Sequence, residues 1–252
     1  MEKTKVMAEA DFNNLKTESA SQNYRINTSI LCFLVLFATT VSAQKSKVMD
    51  VFFKYGIDAG VLNPEKTKRP DNYAFDFKQT IITSANEGVT IAKFDPANSG
   101  AERWTVVSID GKNPSKSAIN TFRKNQSKES PVLQLDDSTL KIEKETADQL
   151  VISYKFDSAS LNKENAFIKD CRFYMTINLR SKKLDQIQTL NEKPVRVAIL
   201  TADKFDLVVK YKWDDQAKQY LPVHEQLRMD AKFIGQATNV ETITEYSNYT
   251  KK

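Results

Sequence analysis

A long series of alternating segments joined by short connections constrains the fold more than any other feature. From Ser138 onward, apolar and polar residues alternate in one segment after another, and few residues separate consecutive segments. Parallel neighbours need a long crossover, so short connections require antiparallel pairing. The predicted strands cover residues 140–145, 150–156, 168–179, 184–191, 195–200, 205–213, 220–233 and 238–249.

The first half of the chain adds further strands and two amphipathic helices. Apolar residues at helical spacing predict a helix over residues 46–62, and Asn113 followed by Pro114 predicts the start of a second helix. Three more strands are predicted around residues 73–77, 89–94 and 103–109. With about ten strands and two helices, we predict a mainly β (α+β) fold. Its long antiparallel meander should form an unclosed half-barrel around one or two amphipathic helices.

An apolar run near the start of the chain has the layout of a secretion signal. Residues 30–41 carry no charge, Arg25 precedes them, and Val41 and Ala43 occupy the positions that a signal peptidase reads. The run is shorter than the roughly 20 residues of a spanning helix. We therefore expect residues 1–43 to be a signal peptide with an extended n-region, cleaved after Ala43. The alternative is a retained anchor, because the stretch before the run is long and of mixed charge.

Residues 44–252 are then expected to form one exported domain, in the periplasm or outside the cell. The net charge is +5 and the basic residues are dispersed, which is typical of a solvated surface and not of a nucleic-acid partner. Cys171 is the one cysteine after residue 43, so the domain must be held together by packing and not by an internal disulfide.

The chain offers few residues for catalysis. His224 is the only histidine, no Gly-x-Ser-x-Gly turn is present, and six glycines leave no phosphate-binding loop. We expect no metal, no cofactor and no enzymatic activity. An enzyme working through His224 is kept as a third hypothesis.

The most distinctive block is residues 100–112, GAERWTVVSIDGK, which precedes Pro114 and the second helix. Here the chain resembles uncharacterised exported bacterial proteins that look like the LolA/LolB family of lipoprotein carriers. Residues 227–249 are similar to the closing strands of such chains. In that family an unclosed antiparallel barrel wraps around helices and shelters acyl chains. The resemblance implies a role in sorting lipoproteins to the outer membrane and a lipid or an acylated protein as partner.

The leading hypothesis is a monomeric carrier that holds a lipid or acylated partner in an apolar concave face. The residues predicted to bind the ligand are Phe75, Phe77, Arg103, Trp104, Tyr154, Phe156, Phe173, Met175, Tyr211 and Trp213. The alternative is an envelope protein-interaction module with a dry core and no small-molecule ligand. In that case the same aromatic residues pack on Val48, Phe52, Ile119 and Phe122, and a sheet edge or the basic helix at residues 115–124 meets an acidic partner.

Overall fold

A computed structural model describes residues 44–126, 133–233 and 236–252. The predicted signal peptide lies outside the described residues. Helix α1 covers residues 44–55 and helix α2 covers Lys116–Gln126. The strands are β1 Tyr73–Thr83, β2 Glu87–Phe94, β3 Trp104–Ile109, β4 Leu135–Glu145, β5 Gln149–Phe156, β6 Cys171–Asn178, β7 Lys183–Asn191, β8 Val195–Val197, β9 Leu200–Asp214, β10 Gln219–Phe233 and β11 Gln236–Lys251. Neither helix is long and apolar enough to cross a membrane.

The eleven strands form one antiparallel sheet in the order β3-β2-β1-β11-β10-β9-β7-β6-β5-β4, with β8 paired to β9. The prediction of an unclosed, mainly β half-barrel with two helices is confirmed. The meander is divided, however. Strands β1 to β3 form one meander and β4 to β11 the other, and pairing of β1 with β11 joins them. This arrangement follows because the connection that contains α2 leads from one edge strand, β3, to the opposite edge strand, β4.

Helix α1 is shorter than the predicted helix over residues 46–62. Gly56 adopts a φ of +64°, a left-handed conformation that glycine accepts without steric cost. Its amide donates to the carbonyl of Phe53 at 3.1 Å, and the amide of Ile57 donates to the carbonyl of Phe52 at 2.9 Å. These two bonds form a Schellman motif, which ends the helix. A separate 3₁₀ turn, Ala59–Leu62, follows.

The core consists of three clusters on the inner face of the sheet, the face on which the helices pack. The α1 cluster holds Val48 and Phe52 of the helix against Leu140, Leu150, Ile152, Tyr154, Phe156, Met175, Ile177 and Leu184, with Phe173, Tyr211 and Trp213 at its margin. The α2 cluster consists of Phe75, Phe77, Ala92, Phe94, Trp104 and Tyr246, with Phe122 of the helix packed on it. The β8 cluster consists of Cys171, Val195, Ala202, Phe205, Met229 and Ala231. Each cluster is a separate set of buried residues, so the inner face is not packed uniformly.

Candidate functional site

A β-bulge in β10 decides which charged side chain reaches the inner face. Tyr220 pairs with Trp213 and Pro222 pairs with Tyr211, and the register then shifts at Val223. Beyond the bulge, His224 pairs with Lys210 and Glu225 pairs with Val209. Because side chains alternate along a strand and a bulge adds one residue, His224 faces outward and Glu225 faces inward.

The strand register places one polar row across half of the inner face. Ile152, Met175, Ile187 and Val209 stand opposite one another from β5 to β9. The same line continues through Glu225, Thr244, Gln79 and Thr90 on β10, β11, β1 and β2. These last four residues are named the polar row. Along this line of paired residues, the side chains on the inner face therefore change from apolar on β9 to polar on β10.

A second line of residues lies beside the polar row and is mostly apolar. It is named the apolar row and consists of Leu207, Leu227, Thr242 and Ile81. Leu207, Leu227 and Thr242 are half-buried, and Ile81 is 43% exposed. The inner-face residues of the α1 cluster are far less accessible, since Ile152 and Met175 are 0% and 2% exposed. Leu207 and Leu227 border the β8 cluster, and Thr244 is 3% exposed. Apart from Thr244, the partly exposed side chains of the two rows form an accessible strip of the inner face.

Glu225 is the acidic centre of the polar row. Its carboxylate accepts a hydrogen bond from the hydroxyl of Tyr246 at 3.1 Å, and Gln79 donates from Nε2 to Oγ1 of Thr244 at 3.3 Å. Burial raises the pKa of Glu225, while the Tyr246 bond and the positive charge of Arg69 oppose this rise. Arg69 itself lies over the rings of Trp104 and Phe75, at 5.4 and 5.7 Å from the centroids. Glu225 still has partial access to solvent, so its surroundings are those of a recess in the sheet.

The raised pKa of Glu225 predicts a pH-dependent effect of Glu225→Gln on stability. When the pKa of a carboxyl is higher in the folded chain than in the unfolded chain, the folded state binds the proton more tightly. The carboxyl then lowers the free energy of unfolding as pH rises from the pKa of the unfolded chain to that of the folded chain. Glutamine lacks this titration and keeps the size of the side chain. We expect the free energy of unfolding of the variant, relative to the natural protein, to increase as pH rises from about 4 through that interval. Urea denaturation of both proteins across this range measures the difference, and a difference independent of pH would contradict the prediction.

The residues predicted to bind a ligand fall into two groups. Phe75, Phe77 and Trp104 belong to the α2 cluster, where the rings of Phe75 and Phe77 lie 5.6 and 5.4 Å from that of Trp104. The larger group belongs to the α1 cluster or its margin and consists of Tyr154, Phe156, Phe173, Met175, Tyr211 and Trp213.

Accessibility divides the same set differently. Six of the residues are buried and already packed against protein: Phe75, Phe77, Trp104, Tyr154, Phe156 and Met175. Phe173, Tyr211 and Trp213 are half-buried. Arg103 stands apart from both groups, because its Nε donates to the carbonyl of Gly100 at 3.2 Å and its guanidinium lies 5.6 Å from the centroid of Phe94. The accessible strip was missed by the sequence analysis, although alternation from Phe75 and Phe77 would have placed Gln79 and Ile81 on the same face.

Helix α2 covers the α2 cluster but is not itself buried. The structure describes all of α2, and none of its residues is buried. The ring of Phe122 lies 5.6 Å from Phe77 and 5.4 Å from Trp104. Arg123 donates from Nε to the carbonyl of Trp104 at 2.9 Å and forms an ion pair with Glu102 at 2.6 Å. Arg123 belongs to the basic helix that the alternative function would present to an acidic partner, and the structure turns it toward β3 instead.

The outer face carries a recess of about 390 Å³ lined by residues of β1, β2, β3, β10 and β11. Its apolar lining includes Ile91, Val107 and Val223. Two ion pairs lie on the same face, Lys78 with Glu245 at 3.1 Å and Lys93 with Asp76 at 3.7 Å. This recess is on the opposite side of the sheet from the aromatic clusters. Among the described residues, no three His, Cys, Asp or Glu side chains come together as a metal site.

The fold and the site define an unclosed antiparallel half-barrel whose inner face carries two helices and an accessible strip. No protein-family model matches the chain, and no curated protein matches it in sequence. A solved structure of a LolA superfamily protein from Nitrosomonas europaea is similar, with a TM-score of 0.34 and 8% identity, over 76% of this chain and 90% of that chain. A likeness at this level assigns neither a family nor a function.

Proposed function

We propose that this protein is an exported carrier that holds the acyl chain of a lipid or an acylated protein along the accessible strip of its inner face. The observation that carries the proposal is the strip itself. Leu207, Leu227 and Ile81 present apolar side chains that the three packed clusters leave partly exposed. Burying one methylene group contributes about 0.8 kcal/mol, so a sixteen-carbon chain would gain roughly 12 kcal/mol at most.

The contrast between the two helices supports an entry route beside α2. Helix α1 is fixed by Val48 and Phe52, which are 1% and 2% exposed. Helix α2 buries none of its residues and is held by the Phe122 ring and by the bonds of Arg123. Elements with little buried surface open at low free energy. A ligand would therefore displace α2 more readily than α1.

Two isoleucines of similar exposure test the proposal. Ile81 is 43% exposed on β1 and belongs to the apolar row, while Ile91 is 40% exposed on β2 and lines the outer recess. We expect Ile81→Lys to weaken the uptake of a fluorescent fatty acid by delipidated protein about tenfold, because a charge replaces apolar surface that the chain would cover. Ile91→Lys should leave uptake unchanged.

Saturation of the natural protein with the fluorescent fatty acid is the primary measurement. Titrations indistinguishable from those of a non-binding control protein, both for the fatty acid and for an uncharged fluorescent analogue with the same chain, would reject the carrier. Equal losses in the two lysine variants would reject the strip as the binding surface.

The rival function is an interaction module of the envelope. The observation that favours it is the outer recess, where Ile91 and Val107 present apolar surface between ion pairs. It predicts that Ile91→Lys abolishes capture of a defined protein partner, whereas Ile81→Lys does not. The two lysine variants therefore separate the two functions.

A further inference from the structure

The polar row sets a chemical condition on any molecule that fills the strip. Glu225, Thr244 and Gln79 stand side by side on three adjacent strands, directly beside the apolar row. The Tyr246 hydroxyl donates a hydrogen bond to Oε1 of Glu225. A carboxylate can accept further hydrogen bonds through its second oxygen. A purely hydrocarbon ligand would remove water from this carboxylate without replacing its hydrogen bonds, which is unfavourable.

The charges around the polar row favour one kind of head group. The groups that act on Glu225 are the hydroxyl of Tyr246 on β11 and the guanidinium of Arg69 on the loop before β1. The guanidinium lies over the rings of Phe75 and Trp104, where it has favourable contacts within the protein. A ligand carboxylate or phosphate placed at Glu225 would face a like charge, whereas an ammonium or a hydroxyl would donate to its free oxygen.

We infer that the polar row selects amphiphiles whose head group donates hydrogen bonds and carries no negative charge, with the acyl or alkyl chain lying along the apolar row. The inference rests on the proposed function and gives that site its ligand class. Glu225 is the acceptor for the head group, and Gln79, which the buried Thr244 holds through a hydrogen bond, provides polar surface beside it. Leu207, Leu227 and Ile81 contact the chain.

Three ligands with the same alkyl chain and different head groups test the inference by their binding to the delipidated protein. Isothermal titration calorimetry at neutral pH would compare dodecylamine, 1-dodecanol and dodecanoate, each kept below its micellar or solubility limit. We expect dodecylamine and 1-dodecanol to bind about tenfold more tightly than dodecanoate. Glu225→Gln should weaken the binding of dodecylamine about tenfold and change the affinity for 1-dodecanol much less, because only the amine loses a charge-assisted hydrogen bond.

Glu245→Gln is the matched control, since Glu245 is on the neighbouring strand and pairs with Lys78 on the outer face. It should change none of the three affinities. Dodecanoate binding as tightly as dodecylamine would overturn the inference, would point to Arg69 as the head-group ligand, and would leave the carrier intact. Absence of binding by all three ligands would reject the carrier and the inference together. If the Glu225→Gln variant fails to fold, the order of the three affinities measured on the natural protein tests the inference.

Discussion

Phe52→Ala is expected to lower the free energy of unfolding by about 3–5 kcal/mol. Phe52 is 2% exposed and lies in the α1 cluster, which joins the helix to β4, β5, β6 and β7. Removing the ring leaves a cavity that the surrounding strands, tied to one another by the sheet, can fill only in part. Urea denaturation followed by circular dichroism measures the loss.

The next residue along the helix provides a matched control for this experiment. Phe53 is 90% exposed, so Phe53→Ala should change the free energy of unfolding by less than about 0.5 kcal/mol. The two substitutions remove the same atoms from adjacent positions of one helix. A similar loss in both variants would mean that α1 does not pack on the sheet through Val48 and Phe52.

Trp104→Ala is expected to have a comparable effect in the other half of the sheet, about 3–5 kcal/mol. The indole is 3% exposed and its ring contacts Phe75, Phe77, Phe94 and Phe122 at centroid distances of 5.6, 5.4, 5.1 and 5.4 Å. Aromatic pairs of this geometry add about 0.5–1.5 kcal/mol to the burial of their area. Loss of the indole also removes the surface on which Phe122 of α2 rests.

Val107→Ala is the control on the same strand, because Val107 is 46% exposed on the outer face. It should cost less than about 0.5 kcal/mol. Hydrogen exchange adds a second measurement for Trp104→Ala, in which the amides of α2 should exchange faster than in the natural protein while those of α1 do not. Unchanged exchange in α2 would show that the helix is held by something other than the α2 cluster.

The two helices have different roles in the proposed carrier. Helix α1 is a permanent part of the core, since its residues Val48 and Phe52 are as buried as the strand residues beneath them. Helix α2 packs on the aromatic residues of the α2 cluster through Phe122 and buries none of its own residues. A ligand that enters the strip beside α2 gains apolar surface without disturbing the α1 cluster. Both clusters therefore contribute to the stability of the fold, and the two helices differ in how firmly they are held.

Much of the fold was predictable from local patterns. Alternation identified the strands from residue 140 onward, and the strands predicted over residues 140–145 and 150–156 lie within β4 and β5. The second helix was predicted in the right segment, but it begins at Lys116, and the hydroxyl of Ser115, not the side chain of Asn113, accepts from the amide of Ala118. These features depend on neighbouring residues only, so they can be inferred without knowledge of the rest of the chain.

The candidate site was less predictable, because it depends on how distant strands meet. A period of two would place His224 on the same face as Tyr220 and Pro222. The bulge at Val223 reverses this and turns Glu225 inward instead. Alternation also gathers Phe75, Tyr154 and Trp213 into one predicted lining, whereas the folded sheet divides such residues between two clusters that the helices already cover.

By itself, the sequence determined that this chain forms antiparallel strands with one apolar face and two amphipathic helices, because strand and helix periodicity and turn residues act over a few positions. Only the tertiary structure decided that β1 pairs with β11, that two helices cover most of the aromatic surface, and that a strip with Glu225 stays accessible between them. Pairing between residues more than a hundred positions apart, such as Phe77 with Tyr246, depends on the packing of the whole sheet, and no local pattern records it.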